Sequence, residues 1–238
     1  MNQQVEFLIP GAARSGTGYL YARCCEHPRA GMSIGKEPHF FDYNWAFGLS
    51  WYMAQFPPSG IRGEASVDYM FHSLAPYRIY QAFPDVRLVV LLRNPIDRAY
   101  SHWALFRNES KEHSSFEAAI RIEGYEISRA RAWRLASYLS RGLYVDQIQR
   151  LFNLFGQDQV LIVRSEDLFC TPKETLNKIY TFVGLGAYVH TKEQLSTNTH
   201  KGCYEPMPPE TRTVLAEFFR KPNELLYTLL GRDMGWEQ

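Results

Sequence analysis

Pro84-Asp85-Val86-Arg87-Leu88-Val89-Val90-Leu91-Leu92-Arg93-Asn94-Pro95 is the stretch on which the fold turns. Two turn-forming residues lead into a run of branched aliphatic residues in which polar and apolar positions do not alternate. A strand of that composition is buried on both faces, as in a parallel sheet covered by helices. Asn94 and Pro95 then offer a helix N-cap and a first helical residue, so a helix through Tyr100, Trp103 and Phe106 is expected next. Upstream, Val5 to Pro10 is a second short apolar run, closed by Pro10-Gly11 and followed by a helix from about Thr17 to Glu26. Downstream, Tyr144, Ile148, Leu151, Phe152 and Phe155 recur at helical spacing until Gly156 ends the helix, and Val160 to Val163 is another core strand. Further helices are expected over Pro172 to Val183 and, as two shorter pieces separated at Pro222, over Pro209 to Leu230. Strands and helices alternate, which predicts an α/β fold. A single domain over residues 1–238 is expected, its mostly parallel central sheet flanked by helices and its ligands beyond the carboxyl ends of the strands.

The 238 residues are 45% hydrophobic and 21% charged, values that support a core and exclude disorder. With 26 basic and 25 acidic residues the formal charge is +1, which gives no electrostatic case for a nucleic-acid partner or a membrane surface. Any anion has to be caught locally. The apolar runs fall far short of the roughly 20 residues of a membrane helix, so no span is expected. Four cysteines, Cys24, Cys25, Cys170 and Cys203, show no Cys-x-x-Cys spacing, and the N-terminus lacks the basic region and long apolar run of a secretory signal. A reduced chain in the cytoplasm is the expectation.

The segment Gly11-Ala12-Ala13-Arg14-Ser15-Gly16-Thr17-Gly18-Tyr19 lies between the first strand and its helix, where free N–H groups and the helix dipole favour a phosphate or sulfate. Arg14 adds a cation, and Ser15 and Thr17 add hydroxyl donors. A Walker A loop would place a lysine after Gly16, and Thr17 stands there instead, which argues against a conventional ATPase or GTPase. The loop taken alone is also compatible with a merely structural strand-to-helix turn. Arg93, at the end of the strongest strand, and Ser101, eight residues on, suggest a second anion pocket. Arg98 is expected in a surface salt bridge to Asp97 or another carboxylate. Seven aromatic residues, Trp45, Trp51, Tyr52, Tyr69, Phe71, Tyr138 and Tyr144, are candidates for the wall of an acceptor cleft. His27, His72, His113, His190 and His200 show no ligand-type spacing.

Six segments in order carry a resemblance: Arg14 to Thr17; Lys36-Glu37-Pro38-His39-Phe40-Phe41-Asp42; Gly63-Glu64 with Asp68-Tyr69; Arg93 to Ser101; Arg141-Gly142-Leu143-Tyr144; and Lys201-Gly202 ahead of Gly231 to Trp236. With them the chain resembles the sulfotransferases that use 3′-phosphoadenosine 5′-phosphosulfate (PAPS) and release 3′,5′-adenosine bisphosphate (PAP), above all the heparan-sulfate glucosaminyl N- and 3-O-sulfotransferases. The resemblance implies the P-loop-like sulfotransferase fold. By similarity, Arg14 holds the sulfate-bearing 5′-phosphate with Ser15, Gly16, Thr17, Gly18 and Tyr19, while Arg93 and Ser101 grip the 3′-phosphate. Lys201, Gly202 and Cys203 match a late loop over the cofactor. Glu37 matches the catalytic carboxylate that takes the acceptor's proton, and Lys36 and Arg14 are placed to stabilise the leaving group. His39 and Asp42 match residues beside the acceptor, with Tyr69 and Tyr144 as further acceptor contacts; no metal is required. Many heparan-type enzymes carry a lysine where Ala65 follows Gly63-Glu64 here, which points to a small or lightly charged acceptor, a small molecule or a carbohydrate. The bland alternative for Glu37 is a surface ion pair with Lys36 or Arg62. A PAP- or PAPS-binding module without turnover and a degenerate P-loop nucleotide kinase are the competing functions.

Overall fold

The computed structural model describes residues 4–126, 137–191 and 205–236. The apolar run becomes strand β4 (Arg87–Leu92), buried at every position but the first. It pairs in parallel with β1 (Phe7–Leu8) on one side and β5 (Val160–Arg164) on the other. Beyond β1 lie β3 (Ile61–Glu64) and β2 (Ala30–Met32), giving a five-stranded parallel sheet of order β2-β3-β1-β4-β5. Gly63 stands opposite Phe7, whose ring fills the space a Cβ at Gly63 would need, at 2.2 Å, so only glycine fits there.

Helices follow the strands as the alternation predicts. Phe7, Val89 and Leu91 of the sheet share one core with Leu20 and Cys24 of α1 (Thr17–Cys25). Two short helices, α2 (Gly48–Met53) and α3 (Ala75–Ala82), flank β3 in sequence. Leu91 is fully buried at the centre of this core. Leu91→Ala is expected to cost ~2–5 kcal/mol, read as a lower denaturant midpoint at unchanged slope.

Backbone contacts divide the chain into two compact units, Met1–Leu92 with Ile148–Thr199, and Arg93–Gln147 with His200–Gln238. The first holds the whole sheet. The second is helical, its core built from Ile96 and Ala99 of α4 (Pro95–Asn108), Phe116 of α5 (Phe116–Glu126), and Leu215 and Phe219 near the C-terminus. Asn94 caps α4 as expected, its side-chain oxygen accepting the Ile96 N–H at 3.0 Å. Helix α6 (Tyr144–Phe155) ends at Gly156 and leads to β5, and α7 (Ser165–Cys170) and α8 (Pro172–Phe182) follow.

Two expectations are corrected. Pro222 does not split the last helix: α9 (Pro209–Leu230) runs through it as 22 residues. An internal proline costs ~3 kcal/mol through its missing N–H and its clash with the preceding turn. Leu215, Phe219, Asn223 and Leu226 are buried on both sides of it, so packing of one continuous face outweighs the local defect. Arg98 is not a surface ion-pair residue. It is wholly buried and donates from Nη2 to the Tyr138 carbonyl, and desolvation lowers its pKa to about 10. Asp97 pairs with Arg212 instead, at 2.8 Å. Among the described residues no helix is long and apolar enough to cross a membrane.

Candidate active site

The loop after β1 is laced to the tip of β4. Leu91 N–H donates to the Gly11 carbonyl at 2.9 Å, and Ala12 N–H donates to the Leu91 carbonyl at 2.8 Å. Arg14 (φ 68°) and Gly16 (φ 91°) both take left-handed backbone conformations, uncommon for a non-glycine residue such as Arg14. Helix α1 starts at Thr17 with no side-chain cap and no acidic residue in its first turn. Its first N–H groups therefore point outward with the positive end of the dipole behind them. Ser15 is wholly buried, its carbonyl accepts from Ser165 Oγ at 2.9 Å, and its own Oγ has no hydrogen-bond partner among the described residues. A buried hydroxyl of that kind calls for a partner, and an anionic oxygen at the helix terminus supplies one. The loop thus fits a phosphosulfate. Tyr19 is half-buried, its ring against Phe169 at 5.5 Å and under the Arg23 guanidinium at 5.2 Å.

The segment 36–42 forms the second cluster. Glu37 pairs with Lys36 through Oε1, and its Oε2 lies 3.1 Å from His39 Nε2. His39 Nδ1 lies 2.8 Å from Asp42 Oδ2. Burial works against a charged imidazole, but the hydrogen bonds to Asp42 and Glu37 win and lift the His39 pKa to about 10. His39 is therefore an imidazolium at neutral pH, donating from both nitrogens. Burial pushes the Glu37 carboxyl up, yet the His39 hydrogen bond and the Lys36 charge outweigh it and hold Glu37 below its ordinary value. The backbone makes this possible: His39 sits at φ 49°, folding its ring back between residues two before and three after it. Asp42 is buried and further anchored, Oδ1 accepting the Tyr43 N–H at 2.7 Å, while Arg78 binds the Phe41 and Asp42 carbonyls.

Lys36 joins loop and cluster. Its Cε lies 3.7 Å from where a Cβ on Gly18 would stand, so the lysine arm crosses the first turn of α1 before its ammonium meets Glu37.

In the second unit, Arg93 follows Leu92 directly, and Ser101 is buried on α4. Tyr144 is not an exposed acceptor contact. It is 1% exposed and donates its hydroxyl to the Arg93 carbonyl at 3.0 Å, fixing the backbone of that arginine. Tyr69 is corrected likewise: wholly buried, it accepts the Phe40 N–H at 2.8 Å. Tyr52 and Tyr138 are also core, whereas Trp45 and Phe47 are exposed. Lys201, Gly202 and Cys203 lie outside the described residues. Among the described residues, His39, Asp42 and Asp68 group as a metal ion's ligands would. Both His39 nitrogens are already bonded to carboxylates, and Asp68 accepts from the Tyr43 hydroxyl at 2.7 Å.

Comparison with known proteins decides the family. The profile described as "Sulfotransferase domain" matches residues 4–211. The chain belongs to the sulfotransferase family. Its relatives include the human heparan sulfate glucosamine 3-O-sulfotransferase 6, 29% identical over 253 residues that cover 96% of this chain and 72% of that protein. A sulfotransferase from Alicyclobacillus acidocaldarius is 28% identical and superposes with a TM-score of 0.85 over 97% of both chains. A mouse sulfotransferase complexed with PAP shares the fold at 17% identity, with a TM-score of 0.57 over 94% of this chain and 86% of that one. In this PAPS-dependent sulfotransferase the strand-to-helix loop after β1 lacks the Walker lysine and carries Arg14. The sequence offers Glu64 only as part of a motif and assigns no role to it or to Ser66; both are wholly buried, and Ser66 Oγ accepts the His39 N–H. A buried carboxyl at a strand end has no periodicity signal, and the Gly63-Glu64 motif was the one available pointer.

Proposed function

We propose that this sulfotransferase moves the sulfuryl group of PAPS to a hydroxyl or amine of a carbohydrate or small-molecule acceptor, with Glu37 as general base. The Lys36 bridge between the anion loop and Glu37 carries the proposal. When bound, PAPS supplies an activated sulfuryl group, whose bond to the 5′-phosphate oxygen breaks as the bond to the acceptor forms. Arg14, the Ser15 hydroxyl and the first N–H groups of α1 would hold the phosphosulfate end. Arg93 and Ser101 would take the 3′-phosphate, with Tyr144 holding Arg93 in place. Glu37 accepts the acceptor's proton, and His39, kept charged by Asp42, aims it.

The resting ion pairs make Glu37 a weak base. Negative charge at the start of α1 draws the Lys36 ammonium toward it, which frees Glu37 to become more basic as Lys36 steadies charge on the departing oxygen. A carbohydrate acceptor is supported by the relative named for heparan sulfate glucosamine and by the exposed Trp45 and Phe47 rings beyond Asp42.

Thermal stabilisation tests the donor assignment. PAP at about 100 times its Kd adds ~2.7 kcal/mol, which for a chain of this size raises Tm by roughly 5–10 °C. This is expected without magnesium and not with ATP. If ATP with magnesium is the stronger ligand, a nucleotide kinase replaces the sulfotransferase reading of this site. A PAPS-coupled acceptor screen with product mass analysis then names the acceptor.

A further inference from the structure

Glu64 closes strand β3, its carbonyl accepting the Ile9 N–H at 2.9 Å, and its side chain is completely buried. Among the described residues this carboxyl touches no cation, so it needs another reason to be buried. Three hydroxyl groups surround it. Tyr52 donates to Oε1 at 3.2 Å, Oε2 has no hydrogen-bond partner among the described residues, and the Tyr69 and Ser66 hydroxyls are near enough to lower the carboxyl's pKa. Each of the three reaches the catalytic segment. Ser66 Oγ accepts the His39 N–H at 3.1 Å, Tyr69 Oη accepts the Phe40 N–H at 2.8 Å, and the Tyr52 ring stacks on Phe40 at 4.6 Å. His39 is also the residue held in a left-handed conformation, which costs of order 1–3 kcal/mol unless its surroundings enforce it.

We propose that Glu64 is the positioning residue of the Glu37–His39–Asp42 cluster, acting through the Tyr52, Tyr69 and Ser66 hydroxyls. Its carboxyl holds the Tyr52 hydroxyl directly and acts on the neighbouring Tyr69 and Ser66 hydroxyls through its charge. Ser66 and Tyr69 receive two consecutive backbone N–H groups, and that pair of bonds, with the Tyr52 ring stacked on Phe40, holds His39 in the turn that brings its ring between Glu37 and Asp42. Burial lifts the Glu64 carboxyl to about 7 against the opposing pull of the hydroxyls. A neutral amide can therefore stand in for it. The inference rests on the reading of Glu37 as base only for its effect on turnover; the placing of His39 is independent of that reading.

The experiment follows both quantities in Glu64→Ala, Glu64→Gln and Tyr69→Phe. The His39 imidazole is titrated by NMR in the ligand-free full chain. Turnover is followed as radiolabelled sulfate passing from PAPS to a glucosamine oligosaccharide used as probe acceptor. In Glu64→Ala the His39 pKa is expected to fall from about 10 toward its ordinary value. In the same variant kcat should drop about 100-fold, the cost of misplacing a catalytic group by about 1 Å, at unchanged KM for PAPS. Glu64→Gln should restore both to near wild type, and Tyr69→Phe should move both in the same direction by less. Should Glu64→Ala fail to fold, Tyr69→Phe carries the test alone. A His39 titration that overlays wild type in Glu64→Ala, or in Tyr69→Phe where Glu64→Ala does not fold, overturns the proposal. If the His39 titration moves while Glu37→Gln keeps full turnover, Glu64 stands as the positioning residue and the base assignment is what fails.

Discussion

Glu37→Gln is expected to bind PAP as tightly as the parent protein and to transfer sulfate about a thousandfold more slowly, the scale of a lost general base. The substitution keeps the shape of the side chain and removes its ability to take a proton. Its ion pairs with Lys36 and His39 are partly exposed, so the fold should lose little. The pH profile adds a second check. Glu37 has to be ionised to act, and its carboxyl is held below the ordinary carboxylate value of about 4.3. Activity in the free enzyme should therefore persist on acidification past that value and fall only below it. His39 stays charged until about pH 10, so the cluster keeps one protonation state across the whole neutral range. The acid limb should vanish in Glu37→Gln, whose residual rate has no carboxyl to titrate at this position. Equal rates for variant and parent at pH 7 would remove Glu37 from the mechanism.

The parts of the fold that the sequence discloses are those where local chemistry and burial agree. β4 has no polar residue after Arg87, and Asn94-Pro95 is a cap and a first-turn proline in the right order. β2 and β3 read Ala-Gly-Met and Ile-Arg-Gly-Glu, too short and too rich in glycine to announce a strand. Their conformation comes from register against neighbours, with Gly63 chosen by the Phe7 ring rather than by propensity. Arg98 misled because it follows Asp97 in a helix assumed to have a wet face. That region of α4 is enclosed almost all round, with Ile96 and Arg98 through His102 all buried. At the site, motif order disclosed Glu37, His39 and Asp42, but no helical or strand period could have brought them together. Their contact depends on one left-handed residue, and that residue depends on Ser66 and Tyr69, nearly thirty positions away.

Arg93→Ala should separate the two ends of the nucleotide. A charge-assisted hydrogen bond contributes ~1.5–3 kcal/mol, and removing one partner of a desolvated pair costs ~2–5 kcal/mol. The Kd for PAP is thus expected to weaken about 100-fold, while adenosine 5′-phosphosulfate, which has no 3′-phosphate, should bind the variant and the parent nearly alike. The ratio of the two affinities is the informative quantity, because a general loosening of the fold lowers both together. Ser101→Ala should lower the same ratio by about tenfold, the scale of a single hydrogen bond to a charged group. Tyr144→Phe tests how Arg93 is held: it leaves the guanidinium intact and deletes only the hydroxyl that binds the Arg93 carbonyl. A partial fall in the ratio there would mean that affinity for the 3′-phosphate depends on a fixed backbone as well as on charge. Were PAP and adenosine 5′-phosphosulfate to weaken in equal measure in Arg93→Ala, the arginine would not be reading the 3′-phosphate, and selection of PAPS over ATP would need another source in this chain.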